Sequence, residues 1–75
     1  MKIKVKLIGP FVYDTGYSEK ELEVPAGTTV DAFLALLPLS TQRPKIVTRN
    51  GKAVAAQEVL EEGDKIAVSP IYSGG

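Results

Sequence analysis

Met1-Lys2-Ile3-Lys4-Val5-Lys6-Leu7-Ile8-Gly9 opens with a strict alternation. Met1, Ile3, Val5 and Leu7 fall on one face, and Lys2, Lys4 and Lys6 fall on the other. A period of two over this length predicts a β-strand with one buried face. Gly9-Pro10 ends it, because proline has no amide donor for a sheet ladder. Further on, Glu19-Lys20-Glu21-Leu22-Glu23-Val24 predicts a second strand, with Glu19, Glu21 and Glu23 on one face. Paired as a hairpin, the two strands set three lysines opposite three glutamates. Exposed pairs of this kind contribute under ~1 kcal/mol each. Their larger effect is on register, since a slip of one residue would turn every lysine inward. The stripes read as a solvated sheet face rather than a binding site. Between the strands, Phe11 to Ser18 loses the period, and Asp14-Thr15-Gly16 reads as a turn inside a mobile loop.

Working outward, Pro25-Ala26-Gly27 closes the second strand and Thr28-Thr29 opens a helix. Thr28 with Asp31 has the spacing of a capping box, and Thr29 is an alternative cap. Val30, Phe33, Leu34 and Leu37 recur at i, i+3, i+4 and i+7, a single apolar stripe meant for the core. Pro38 limits the helix to about two or three turns, too short to stand without a sheet to pack on. Leu39 to Pro44, with Gln42 and Arg43, reads as a polar connection. Lys45 to Arg49 is a β-branched strand. Asn50-Gly51 is a strong hairpin signal, since both central residues of a type I′ turn take positive φ. Lys52 to Val54 returns as a short strand, and Ala55 to Leu60 has room for a helical turn. Glu61 to Asp64 is a turn, Lys65 to Ser69 the last strand, and Pro70 its end. The order predicts an α+β domain over residues 1–70, a β-grasp whose mixed sheet carries one main helix on one face. Residues 71–75 form a flexible Gly-Gly tail.

Composition removes several kinds of chemistry. The 75 residues include no Cys and no His, which excludes disulfides, thiolate nucleophiles and the commonest metal ligands and neutral-pH bases. Nine basic and nine acidic residues cancel, so no bulk field attracts nucleic acid. No apolar run is long enough for a signal peptide or a membrane span, which leads us to expect a soluble, cytoplasmic protein. There is no phosphate-binding loop motif. Glu58, Glu61, Glu62 and Asp64 lack the spacing of a calcium loop and read as a solvated turn, with an exposed Asp64–Lys65 pair. The serines have no partner base. An independent enzyme is not expected, and neither a bound cofactor nor a metal is.

The end of the chain differs from the rest. Ile71-Tyr72-Ser73-Gly74-Gly75 leaves the last strand and finishes on two residues without Cβ, which can thread a narrow channel and present a terminal carboxylate to another protein.

The strand–strand–helix–strand plan, Val24-Pro25-Ala26-Gly27-Thr28-Thr29-Val30, Asn50-Gly51, Glu62-Gly63-Asp64-Lys65-Ile66-Ala67-Val68 and Pro70-Ile71-Tyr72-Ser73-Gly74-Gly75 together resemble the ubiquitin-like sulfur carriers. That group comprises the small subunit of molybdopterin synthase and the thiamine-biosynthesis sulfur carrier. The resemblance implies that Gly75 is adenylated by a ubiquitin-activating-type enzyme using ATP and then converted to a thiocarboxylate. Gly74 would be its flexible neighbour, and Ser73, Tyr72 and Ile71 the threading segment. It also implies a large synthase subunit as a second partner. Pro70 and the Ser-Gly-Gly end lean toward the molybdopterin type. A single proline and the bulky Tyr72 leave thiamine or another sulfur metabolite open, as well as a ubiquitin-like protein modifier.

Overall fold

The computed structural model describes residues 1–39 and 45–71. Its elements are β1 (Lys2–Leu7), α1 (Pro10–Thr15), β2 (Glu19–Glu23), α2 (Val30–Ala35), β3 (Lys45–Arg49), β4 (Lys52–Ala53) and β5 (Lys65–Pro70). They build a five-stranded sheet in the order β2-β1-β5-β3-β4. β1 and β5 run parallel while the other neighbours are antiparallel, the mixed β-grasp arrangement expected.

The alternation in β1 does what its period predicts. Ile3, Val5 and Leu7 are buried, and the lysines between them are exposed. The hairpin register sets Lys2 opposite Glu23, Lys4 opposite Glu21 and Lys6 opposite Glu19. None of these pairs closes to an ion pair, since the three ion pairs found among the described residues all belong to Arg49. The stripes therefore act through register and solvation rather than through contact. The inner face continues into Ile66 and Val68 of β5, and Phe11, Val30, Phe33, Leu37 and Leu60 cover it.

Three local expectations change. Phe11 to Ser18 is not simply a loop, because residues Pro10–Thr15 form α1. Pro10 starts the helix where a missing N–H costs nothing. Gly16 ends it at φ 85°, with its N–H on the Val12 carbonyl. The Thr15 hydroxyl donates back to the Phe11 carbonyl at 3.0 Å. Phe11, completely buried, anchors α1 to the core.

In α2 the cap is Thr29, whose Oγ1 accepts from the Ala32 N–H at 3.2 Å. Thr28 instead donates to the Pro25 carbonyl, so no capping box forms. Regular helix stops at Ala35, earlier than expected, and i→i+3 bonds from Leu36 and Leu37 tighten the end. That keeps Leu37 on the buried stripe.

Residues 55–60 form a turn and an isolated bridge from Val59 to Thr29 rather than a helix. The carbonyls of Glu58 and Ala56 accept from the N–H groups of Val30 and Asp31, two first-turn donors that have no partner within α2. The connection before β3, with Gln42 and Arg43, lies outside the described residues apart from Leu39.

Candidate functional site

β5 is the strand that leads to residues 72–75, and its two ends are built differently. At its start, Asp64 is 6% exposed and carries a buried carboxylate. Oδ2 accepts from Arg49 Nε at 2.7 Å and from the Glu61 N–H at 2.8 Å. Oδ1 accepts from Asn50 Nδ2 at 3.0 Å. Burial alone would raise the Asp64 pKa. The Glu61 N–H, the Asn50 amide and the Arg49 guanidinium outweigh it and hold the carboxyl below its ordinary value. Glu58 and Glu61 lie at 3.7 and 4.0 Å from the same guanidinium. The acidic turn is thus not wholly solvated: Asp64 is spent on Arg49 and Asn50, and the expected Asp64–Lys65 ion pair is not formed. Every polar atom of this cluster that is buried has a partner, which marks it as a structural clasp.

The other end of β5 is apolar and open. Pro70 is buried opposite Lys45, and Ile71, the first residue past the strand, is 50% exposed. Ser69 pairs with Ile46 on β3, and Ile46 is 47% exposed. On the other side, Leu7 pairs with Val68 and the Ile8 N–H donates to the Val68 carbonyl. One further step along that register sets Ile8, 39% exposed, beside Ser69. Ile8 has the parity of the outward lysines, so Ile8, Ser69 and Ile46 form a row across the outer face. Ile8, Ile46 and Ile71, three of the six exposed large apolar side chains among the described residues, therefore lie at this end of β5. Of the residues expected to thread a partner, Ile71 is placed here, and Tyr72, Ser73, Gly74 and Gly75 lie outside the described residues.

Sequence reasoning missed Ile8 and Ile46. Ile8 was legible by parity, being two residues past Lys6. Ile46 was not, because Ile46 and Val47 are both apolar and β-branched and nothing in the run tells which one faces out.

The mixed five-stranded sheet, with its parallel β1–β5 pair and its register, defines a ubiquitin-like β-grasp protein. The chain belongs to the ThiS family, which matches residues 5–75 and so runs through the terminal Gly74-Gly75. This is a family of ubiquitin-like sulfur carriers and modifiers, and its small carriers are generally not enzymes themselves. SAMP1 from Haloferax volcanii is 25% identical, with a TM-score of 0.82 and full coverage of both chains. A putative molybdopterin converting factor subunit 1 from Pyrococcus furiosus has a TM-score of 0.84 at 24% identity, over 95% of this chain and 99% of that one. A chain in the complex of subunits 1 and 2 of the molybdopterin-converting factor from Helicobacter pylori matches at a TM-score of 0.72 and 18% identity, with full coverage of both. Among the described residues, no helix is long and apolar enough to cross a membrane.

Proposed function

We propose that this protein is a sulfur carrier whose Gly75 carboxylate is activated by a ubiquitin-activating-type enzyme and returned as a thiocarboxylate. The observation that carries the reading is the union of a Gly-Gly end with an exposed isoleucine row at the root of the same tail. The domain docks by that row, and the tail does the reaching. Four residues beyond Ile71 extend at most about 14 Å at ~3.4 Å each, enough to enter a partner's active site while the sheet stays outside. Glycine at 74 and 75 keeps the strand narrow where walls are closest.

The chemistry needs no group of the carrier except the carboxylate. A Gly75 oxygen attacks the α-phosphorus of ATP in the partner, and pyrophosphate leaves. Hydrosulfide delivered by the partner then attacks the acyl carbon, AMP departs with the C–O bonding pair, and the sulfur's proton passes to solvent to leave the thiocarboxylate. The absence of Cys means that no internal thiol competes for the acyl group. Molybdopterin synthesis is the favoured pathway, with a large synthase subunit as recipient. The Pyrococcus neighbour and the Helicobacter complex support that reading. Protein modification is the second reading, supported by the likeness to SAMP1. Intact mass of the protein from its native host separates the two. A sulfur-for-oxygen exchange at Gly75 supports the carrier, and Gly75 found only in isopeptide linkage to lysines supports the modifier.

A further inference from the structure

Asn50-Gly51 joins β3 to β4, with Asn50 at φ 52° and Gly51 at φ 85°. An asparagine followed by glycine is chemically labile, because no Cβ on the next residue hinders approach of its backbone nitrogen to the side-chain carbonyl. Here both ends of the amide are held. Asn50 Nδ2 donates to Asp64 Oδ1 at 3.0 Å, and Asn50 Oδ1 accepts from the Lys65 N–H at 2.9 Å. The backbone is held too, with the Asn50 N–H on the Lys65 carbonyl at 2.8 Å. Asp64 is itself fixed by Arg49 and the Glu61 N–H, so the clasp on the asparagine is rigid.

We propose that Asn50 is a deamidation site that the Asp64 clasp protects in the folded protein and whose conversion then prevents the clasp from closing again. The step needs only water. The Gly51 nitrogen bonds to Asn50 Cγ, the Cγ–Nδ2 bond breaks, and the departing nitrogen takes the Gly51 amide proton to leave as ammonia. Water opens the resulting imide at either carbonyl, giving aspartate or its backbone-shifted isomer, and the new acid loses its proton to solvent. Reaction requires the side chain to swing toward Gly51, which the two hydrogen bonds forbid until the hairpin tip opens locally. Once formed, the aspartate would bring a second carboxylate to where the Nδ2 donor stood, 3.0 Å from Asp64 Oδ1. Two acceptors without a proton between them repel. The isomer would also lengthen the backbone inside a two-residue turn whose register cannot absorb it. Either product unlatches β3 from the start of β5, so the modification marks aged molecules for unfolding. This goes beyond the carrier chemistry and stands whether or not that chemistry holds.

The test uses the full chain in warm, mildly alkaline buffer beside a free peptide of residues 46–54. Peptide mapping follows the mass gain of OH replacing NH2 at Asn50. The folded protein should react at least about tenfold more slowly than the peptide, since opening must come first. The Asp64→Ala variant should lose most of that protection. Because that variant could lose its fold, Asn50→Asp is compared with Asn50→Gly in thermal melts. The aspartate variant should melt lower, although glycine also lacks the amide. Equal rates in protein and peptide, or an Asn50→Asp variant that melts no lower than Asn50→Gly, would overturn the proposal.

Discussion

The two ends of β5 lie one strand's length apart and obey opposite rules. At Asp64 every polar atom is paired, charge is buried, and two side chains from the end of β3 and one backbone N–H from the turn before β5 converge on one carboxylate. Around Ile71 the exposed side chains are apolar. Among the described residues the strand end is held by its pairing with β3 and by the Ser69 hydroxyl donating to the Ile46 carbonyl at 3.5 Å. On the proposed reading, a domain that delivers its own terminus needs both. The clasp fixes where the strand starts, and the open end leaves a greasy rim against which a partner gains by excluding water. On the proposed carrier reading, what separates the ends is where the free energy of burial is realised, within the fold at one end and in a complex at the other.

The largest effect should come from the core that both ends share. Phe33→Ala removes a fully buried ring and should lower unfolding free energy by about 3–5 kcal/mol in urea titration. Next is the clasp. Asp64→Ala leaves Arg49 and Asn50 without their acceptor and should cost about 3 kcal/mol, measured the same way. The same group sets an acid limit. The Asp64 pKa is lower folded than unfolded, so its stabilisation is fully present above the ordinary value of 3.8. It is lost as pH falls from there through the folded value. Thermal melts of the wild type should drop across that acid window, and those of Asp64→Ala should drop less.

At the open end the order of effects reverses. Ile46→Ser and Ile8→Ser should shift stability by no more than about 0.5 kcal/mol, as exposed sites do. Binding to the activating enzyme should weaken roughly tenfold or more, the scale of an interface anchor. A melt that falls as far as that of Asp64→Ala would erase the contrast between the two ends. The smallest effect belongs to the charged stripes. Lys4→Glu sets like charges opposite Glu21 but relieves the one facing Lys65, so it should cost under ~1 kcal/mol, with partial recovery on adding Glu21→Lys.

How much of this the sequence disclosed follows from how far each signal reaches along the chain. The Ile3/Val5/Leu7 alternation and the Asn50-Gly51 turn are local, and both appear as read. The stripe of α2 is local too, and Val30, Phe33 and Leu37 are all buried. α1 was illegible because six residues are too few for a helical period to repeat, and a single buried Phe11 has no period. Asp64 looked like any turn acid, since its partners Arg49 and Asn50 are far away in sequence and the β3–β5 pairing brings them close. The tail was the reverse case. Gly74 and Gly75 were conspicuous in the sequence, whereas the isoleucine row at its root required the register of β1, β5 and β3 together.

The central claim is that the Gly75 carboxylate is the reactive group and that the sheet serves to present it. It is tested most directly by pyrophosphate release with ATP and the cognate activating enzyme, comparing the wild type with a Gly75 deletion and with a chain extended by one residue. Thermal melts of all three verify that the fold is intact. The claim predicts pyrophosphate release from the wild type and none from either altered tail, with unchanged melting. Release undiminished by a missing or extended terminus would contradict it, because no other carboxylate could then be distinguished as the one activated.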